Sequence, residues 1–360
     1  MIEFLLTWYR RYLSDPQAVL LAVFLLLSFA VIFLMGQALA PLLAAIVIGY
    51  LLEGLVAQME RMRIPRLLAV ACVFSLFLAA VVFLVLGLIP LLYHQVADYV
   101  QGLPGLINDG QQLLLRMPEA FPGFVSTQDV VDLTVVIRHA VADFGQNVLS
   151  SSLASIPAIM TALAYVFLGS LLVFFFLKDK RVIMAWARGF LPRDRGILVR
   201  VWREMDHQIG NYVRGKFIEI LIVGSATYIF FVFLGLSYAA LLAVLVGISV
   251  IVPFVGAVVV TVPVAFAGYG QWGWGADFAW FMGGYALIHV LDANLLVPLL
   301  LSEAVNLHPA AIIVAVLIFG GFWGFWGVFF AIPLATLVKA LLSVWPRSPA
   351  PPLDAASDMG

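Results

Sequence analysis

Residues 289–309, HVLDANLLVPLLLSEAVNLHP, decide the fold class of this chain. They place His289 and Asp292 inside an apolar run that is otherwise typical of a membrane span. Polar and ionisable groups are costly in hydrocarbon, so they usually face a protein interior or a water-filled path. Pro298 and Pro309 interrupt the same run. A broken helix with polar side chains at membrane depth is typical of the region where a transporter handles its substrate.

The composition of the whole chain also indicates a membrane protein. Of its 360 residues, 64% are hydrophobic and 11% are charged, and the mean hydropathy is +1.09. Soluble domains are about 45–50% apolar and about 25% charged. The net charge of −1 gives no electrostatic basis for binding nucleic acid. Cys72 is the single cysteine, and no Cys/His spacing is typical of a metal site, so we expect neither metal nor cofactor.

Apolar stretches of the required length recur along the chain. Because a helix needs about 20 apolar residues to cross the hydrocarbon, we predict an all-α polytopic membrane protein with about eight transmembrane helices. The predicted spans are residues 18–37, 38–59, 67–92, 156–177, 217–236, 238–267, 277–300 and 309–342. The first two spans adjoin each other, which predicts a hairpin that turns near Gly36 and Pro41.

Two polar segments separate groups of these spans. Together with three membrane parts and a C-terminal tail, they make up six parts of the chain. Both segments place apolar residues at helical spacing, so both are predicted to form amphipathic helices. Ser126 and Thr127, followed by Asp129, are typical of a helix N-cap. The six parts are an N-terminal membrane region of three spans (1–92), an outer amphipathic helical segment (93–154), the fourth span (155–177), an inner basic helical segment (178–215), a C-terminal membrane region of four spans (216–342) and a disordered cytoplasmic tail (343–360). Two interpretations of the outer segment stay open: a cap packed on the membrane domain, or a gate or partner-binding surface.

The distribution of basic residues predicts the orientation, because short cytoplasmic loops carry an excess of Lys and Arg. With both termini in the cytoplasm, 17 of the 19 basic residues lie on the inner side. Only Arg116 and Arg138 then lie outside, both in the outer segment.

Two predicted spans are too long for straight helices. As helices they would measure roughly 45–50 Å, against a hydrocarbon core of about 30 Å, so we expect the helices of the C-terminal half to be broken. The residues suited to a break are Pro253 and Gly256 in the sixth span, and Gly320, Gly321, Gly324 and Gly327 in the eighth. The glycine run predicts either tight helix packing or a flexible, aromatic-lined wall.

The seventh span carries the candidate site. His289 and Asp292 are three residues apart, so they share a helix face and could pair to take up and release a proton. The alternative is a static polar cluster that satisfies an unwound backbone near Pro298. Glu53 and Glu219 lie near the inner ends of their spans, where they either pair with neighbouring bases or line the mouth of a path. The candidate path residues are His289, Asp292, Asn294, Pro298, Pro253, Gly256, Gly320, Gly321, Gly324, Gly327, His308 and Pro309.

Four motifs in order, VPFVGAVVVTVP, LDANLLVP, LHP and FGGFWGFWGVFFAIPLA, resemble the C-terminal half of the AI-2E (autoinducer-2 exporter) transporter family. The form PLLLSEAVNLHP is similar to the PerM-type permease branch, and the resemblance extends over nearly the whole chain. The family often has Glu where this chain has Asp292, and Gly where it has Ser302. The resemblance implies a permease of the bacterial inner membrane and a homo-oligomer. Some family members are similar to exporters of the small polar signal autoinducer-2, and others are associated with sodium/proton exchange.

The function predicted from these features is a secondary transporter or facilitator that moves a small polar solute, in the outward direction. No G-x-x-x-x-G-K-[ST] motif occurs, so the energy must come from a gradient or from the solute itself. The alternatives are a sodium/proton antiporter and a membrane scaffold that acts through the outer segment. Besides the lipid bilayer, the expected partner is the solute or a coupling cation. Apart from His289 and Asp292 there is no acid–base pair, and no G-x-S-x-G motif, so an enzyme is not expected.

Overall fold

A computed structural model describes residues 16–114, 156–189, 196–301 and 307–344, together with isolated helical positions between 128 and 143. No strand occurs in these ranges, which confirms the prediction of an all-α protein. Seven helices in the described part of the chain are long and apolar enough to cross a membrane, against about eight predicted. The chain is therefore a polytopic, multi-pass membrane protein.

The continuous described ranges form twelve α-helices and two π-helical turns. In chain order they are α1 (Pro16–Arg61), α2 (Arg66–Phe83), α3 (Ile89–Leu114), α4 (Ile156–Lys178), α5 (Lys180–Gly189), α6 (Gly196–Phe233), α7 (Ala239–Ser249), α8 (Val255–Trp272), α9 (Ala276–Leu291), α10 (Val297–Leu301), α11 (Pro309–Phe329) and α12 (Ala331–Val344). Two π-helical turns connect neighbours without a loop: π1 (Leu84–Leu88) joins α2 to α3, and π2 (Asp292–Leu296) joins α9 to α10. The described residues fall into two compact units, the first drawn from residues 1–43, 179–214 and 301–360, and the second from residues 44–178 and 215–300.

The N-terminal hairpin was predicted wrongly. Helix α1 is 46 residues long and continues through Gly36 and Pro41, and Met35 is the residue inside it with non-helical dihedrals (φ −117°, ψ 16°). A reversal between antiparallel helices needs a loop of about two to five residues, whereas one non-helical residue only kinks a helix. The two predicted spans therefore form one kinked helix.

Continuous helix also crosses two of the predicted segment boundaries. Helix α2, π1 and α3 run without a loop into the predicted outer segment, and α6 runs from the basic segment through the fifth span. Within α6, the part that could cross a membrane is Trp202–Phe233. Lys216 and Glu219 lie within this range.

In the second unit, α1, α2 and α4 pack around one apolar core, and Arg66 joins their ends. Its Nη2 donates to the Leu177 carbonyl at 2.6 Å and to Glu53 Oε2 at 3.3 Å, while Nη1 donates to Glu60 Oε2 at 3.2 Å. The predicted ion pairing of Glu53 with a nearby base is thus confirmed. The buried core residues are Ala45, Leu52, Val56, Ala69, Val70, Val73, Val173 and Leu177.

Helices α6 to α9 form the other core of this unit. The ring of Phe231 on α6 lies 5.4 Å from that of Phe281 and 6.3 Å from that of Tyr285, both on α9. Small residues let helices approach closely: a Cβ on Gly284 of α9 would lie 2.3 Å from Phe230 Cζ. The face of α6 that includes Phe231 is therefore packed tightly against α9.

The start of the predicted outer segment packs on the C-terminal helices. Tyr99 Oη on α3 donates to the Pro263 carbonyl of α8 at 2.8 Å, and Gln95 Oε1 accepts from the Leu241 N–H of α7 at 2.8 Å. These contacts favour the packed interpretation for α3. The predicted cap at Ser126 and Thr127 lies outside the described residues.

Candidate functional site

One face of α6 carries polar side chains in a buried stripe. Lys216, Glu219, Val223, Thr227 and Phe231 recur at spacings of three or four, so they share a helix face. Each exposes at most 3% of its surface. Three of these five side chains are polar, those of Lys216, Glu219 and Thr227. Burying a charged group is costly in free energy unless it is paired with an opposite charge.

Lys216 and Glu219 pair with each other on this face. The Lys216 ammonium donates to Glu219 Oε1 at 2.9 Å and to Oε2 at 3.0 Å. The predicted pairing of Glu219 with a nearby base is therefore confirmed, but the pair is buried within the protein instead of lying at an interface with solvent.

Asp292 adds a third charge from a different helix. It is the first residue of π2 and is 8% exposed. The Lys216 ammonium attracts its carboxylate, and the carboxylate of Glu219 repels it. Among the described residues, no donor reaches the buried Oδ1 of Asp292. Two carboxylates thus lie within electrostatic range of one ammonium.

The π-helical turn accounts for the position of Asp292. In π2 the Val297 N–H donates to the Asp292 carbonyl, five residues back instead of four. Such turns are rare, and they occur frequently at functional sites. The sequence predicted a break near Pro298, whereas the irregularity lies at Asp292–Leu296 and Pro298 is an exposed residue of α10.

His289 does not pair with Asp292 as predicted. Its ring packs edge-on against that of Tyr285 at 4.7 Å, and its buried Nε2 has no hydrogen-bond partner among the described residues. The Tyr285 hydroxyl lies 3.0 Å from Thr261 Oγ1 on α8. Along α6, Thr227 lies between Glu219, which interacts electrostatically with Asp292, and Phe231, whose ring packs near that of Tyr285. The Oγ1 of Thr227 also lacks a described partner.

We call this set the polar seam: Lys216, Glu219 and Thr227 of α6 with His289 of α9 and Asp292 of π2. All five belong to the second unit. Asn294 is not part of it, since it is exposed and its Nδ2 donates to the Val290 carbonyl of its own helix at 2.8 Å.

The predicted break at Pro253 and Gly256 is present. Residues 250–254 separate α7 from α8, and Phe254 has a φ of 62°. A Cβ on Gly256 would lie 1.8 Å from the Ser249 carbonyl oxygen, so this close approach of backbones requires glycine. Pro253 lies within the connection and is partly buried.

The glycine run of the first unit also breaks its helix. Gly324 has a φ of 55° and a ψ of −130° inside α11. A Cβ on Gly327 would lie 1.8 Å from the Phe319 carbonyl oxygen, and one on Gly320 would lie 2.8 Å from Val328 Cγ2. Packing therefore requires small residues at these two positions. Gly321 is exposed, and a Cβ added to it would meet no described atom within 4 Å.

His308 and Pro309 begin α11. His308 Nδ1 accepts from the Ala310 N–H at 3.2 Å, and Pro309 occupies the first helical position, where its missing N–H is not needed. Both residues are exposed. Their described contacts are those of a helix cap.

Sequence reasoning missed Lys216 and Thr227 as site residues. Lys216 was counted with the basic residues of the inner side, because it is the last basic residue before the apolar fifth span. One feature of the sequence could have identified these residues: the helical spacing places Lys216, Glu219 and Thr227 on the same helix face as apolar residues. Among the described residues, no group of three or more His, Cys, Asp or Glu could hold a metal ion.

Comparison with known proteins gives matches along nearly the whole chain. A profile of the AI-2E family transporter matches residues 21–347. The candidate permease PerM of Escherichia coli K12 is 43% identical over 346 residues, which cover 96% of this chain and 98% of that relative. The candidate transport protein YueF of Bacillus subtilis 168 is 27% identical over 83% of this chain and 82% of its own. The AI-2 transport protein TqsA of E. coli K12 is 22% identical over 89% of this chain and 92% of its own.

Proposed function

Because this chain belongs to the AI-2E transporter family, we propose that it is a secondary transporter or facilitator that exports a small polar solute across the bacterial inner membrane. The observation that carries this proposal is the polar seam. A bundle that only had to span the bilayer would have no need for three buried charged groups, and such groups mark solute or ion pathways in membrane proteins.

Separate observations support the solute class and the orientation of the chain in the membrane. TqsA is named as a transport protein for AI-2, a small polar signal, and a seam of carboxylate, ammonium, imidazole and hydroxyl groups suits a solute with several hydrogen-bonding groups. The distribution of basic residues supports cytoplasmic termini. A homo-oligomer and the six-part division of the chain stay predictions.

In the proposed transport cycle, Asp292 contacts the solute or a coupling ion. Its buried Oδ1 is available to accept a hydrogen bond, and π2 gives the backbone beside it a non-standard geometry. The connection at residues 250–254 supplies a hinge next to the seam-bearing helices of the same unit. Asn294 and Pro298, which are exposed, would act only from outside the seam.

The experiment is solute efflux from proteoliposomes that contain the purified full-length protein. Vesicles loaded with AI-2 and a panel of small polar metabolites are assayed by mass spectrometry. We expect Asp292→Asn to lower the efflux of the transported solute by about tenfold or more, since a transition-state contact of 1.4 kcal/mol corresponds to about tenfold in rate.

The matched control is Asp277→Asn, which removes an exposed carboxylate from the start of α9, the helix that leads into π2. It should leave efflux unchanged. Wild-type vesicles that release none of the solutes above protein-free vesicles would count against the proposed function. Wild-type efflux that Asp292→Asn leaves unchanged would remove Asp292 from the path.

The other functions find less support. The matched relatives are described as permeases or transport proteins, and sodium/proton antiport is not favoured by them. A scaffold would act through the outer segment, most of which lies outside the described residues. Transport rather than catalysis is what the family supports.

A further inference from the structure

We propose that Glu219 and Asp292 form a site for a monovalent cation, and that the tethered ammonium of Lys216 is the cation that occupies it. The transporter would then carry its own counter-ion and would need no sodium to run its cycle. This inference rests on the proposed function, because it assigns the charge coupling of the same polar seam.

The first argument is the charge balance of the seam. Two carboxylates from different segments lie within electrostatic range of one ammonium, with 3% of Lys216, 1% of Glu219 and 8% of Asp292 exposed. At this depth a carboxylate without a counter-charge is strongly unfavourable. The two acids together therefore require at least one cation, and Lys216 supplies one positive charge for them to share.

The second argument is that the contact between Lys216 and Glu219 leaves the site incomplete. An ammonium has three donors, and two of them are directed at the oxygens of Glu219. An ion pair between residues three apart on one helix is electrically neutral, so the pair alone would not need a third charged group. Asp292 nevertheless lies close enough to interact with both members, and its Oδ1 is buried without a described donor.

The third argument is the position of the group that supplies the positive charge. Lys216 reaches the carboxylates on a flexible four-carbon chain, whereas Glu219 is on α6 and Asp292 is on π2, two separate segments. An ammonium on such a tether can follow either carboxylate when the two segments shift. A free monovalent cation would play the same part if the tether were removed.

The test removes the tether and offers cations in its place. Purified full-length Lys216→Ala in detergent is heated in ethylammonium chloride, sodium chloride or choline chloride at equal concentration, and its melting temperature is measured. We expect the variant to melt below the wild type in choline, and to regain part of the loss in ethylammonium or sodium. The wild type should melt at the same temperature in all three salts, because Lys216 already fills the site.

The two rescuing salts identify the kind of cation. Rescue by ethylammonium alone means that the site selects an ammonium group, and rescue by sodium as well means that it accepts monovalent cations in general. A folded Lys216→Ala that melts equally in all three salts overturns the proposal. If this variant does not fold, Lys216→Gln, which keeps a neutral donor on a side chain one atom shorter, takes its place with the same expected order of salts.

A set of combined variants separates the three-membered site from a simple pair. Lys216→Ala with Glu219→Gln should still respond to sodium or ethylammonium, because Asp292 remains without a counter-charge. Adding Asp292→Asn should abolish the response. A double variant that already behaves like the triple would show that Asp292 is not part of the site. Lys339→Ala, at an exposed position of α12, is the control and should gain no salt response.

The melting experiment needs no transported solute, so its outcome is independent of the proposed function. The same variants can then be assayed for efflux. Wild-type efflux should be equal in sodium and choline, whereas efflux by Lys216→Ala should require the rescuing cation. Wild-type efflux that depends on sodium would also overturn the proposal.

Discussion

At the scale of single residues, the candidate site depends on Asp292, the first residue of π2. A carboxylate in an apolar run stands out because burying it is costly, and it is indeed buried. Its predicted partner was His289, three residues away, but its electrostatic partners are Lys216 and Glu219. Helical spacing shows which residues share a face, and it does not show which helix packs against that face.

Two adjacent glycines of α9 give a prediction at the same scale. A Cβ on Gly284 would lie 2.3 Å from Phe230 Cζ, whereas one on Gly283 would have nothing within 4 Å. Gly284→Ala should therefore lower the free energy of unfolding by about 1–3 kcal/mol, as expected for an overpacked contact.

Gly283→Ala is the control. It should be neutral or stabilising by up to about 1 kcal/mol, because alanine is the better helix former. Thermal unfolding of both purified variants tests the pair. Equal melting temperatures for the two would contradict the packing of α9 against α6.

At the scale of elements, the breaks of the C-terminal half were predicted and the irregularity of the seventh span was misplaced. Long apolar runs with Pro253 and Gly256, or with a cluster of glycines, exceed the hydrocarbon thickness and must break, and they do so. The turn π2 begins at Asp292, six residues before Pro298 in the sequence. A π turn arises from one extra residue in the backbone ladder, and residue types do not reveal it.

Deleting Ala293 tests the function of π2. This exposed residue lies inside the π turn, and its removal lets the backbone return to regular α-helical hydrogen bonds, because such a turn contains one residue more than the α-helix needs. We expect the protein to remain folded and solute efflux to fall, since the backbone beside Asp292 changes.

The length-preserving substitution Ala293→Ser is the control, and it should retain both the fold and the efflux. The measurements are gel-filtration profile for folding and proteoliposome efflux for transport. A folded deletion variant with wild-type efflux would show that π2 has no part in transport.

At the scale of the whole molecule, orientation is the property with the clearest sequence signal. Cytoplasmic termini would place 17 of 19 basic residues inside. Replacing the lone and exposed Cys72 with serine gives a cysteine-free background for labelling. We expect Met62→Cys, in the exposed turn between α1 and α2, to be protected from a membrane-impermeant maleimide in intact cells.

Gln128→Cys, an exposed position of the outer segment, should react with the same reagent in intact cells. Permeabilised cells supply the control, since both cysteines should react there. The opposite pattern, with Met62→Cys labelled and Gln128→Cys protected, would reverse the orientation.

The sequence by itself determined that this chain is an all-α, multi-pass membrane protein of the AI-2E family, that its long C-terminal runs break, and that Asp292 is an unusual charged group in an apolar run. These properties depend on hydropathy, on proline and glycine content, and on local spacing, all of which are written along the chain. Only the tertiary structure decided that α1 is one kinked helix instead of a hairpin, and that Lys216 and Glu219 of α6 share a buried site with Asp292. The physical reason is that packing brings together side chains far apart in sequence, and the charge balance of a buried site depends on all of them together.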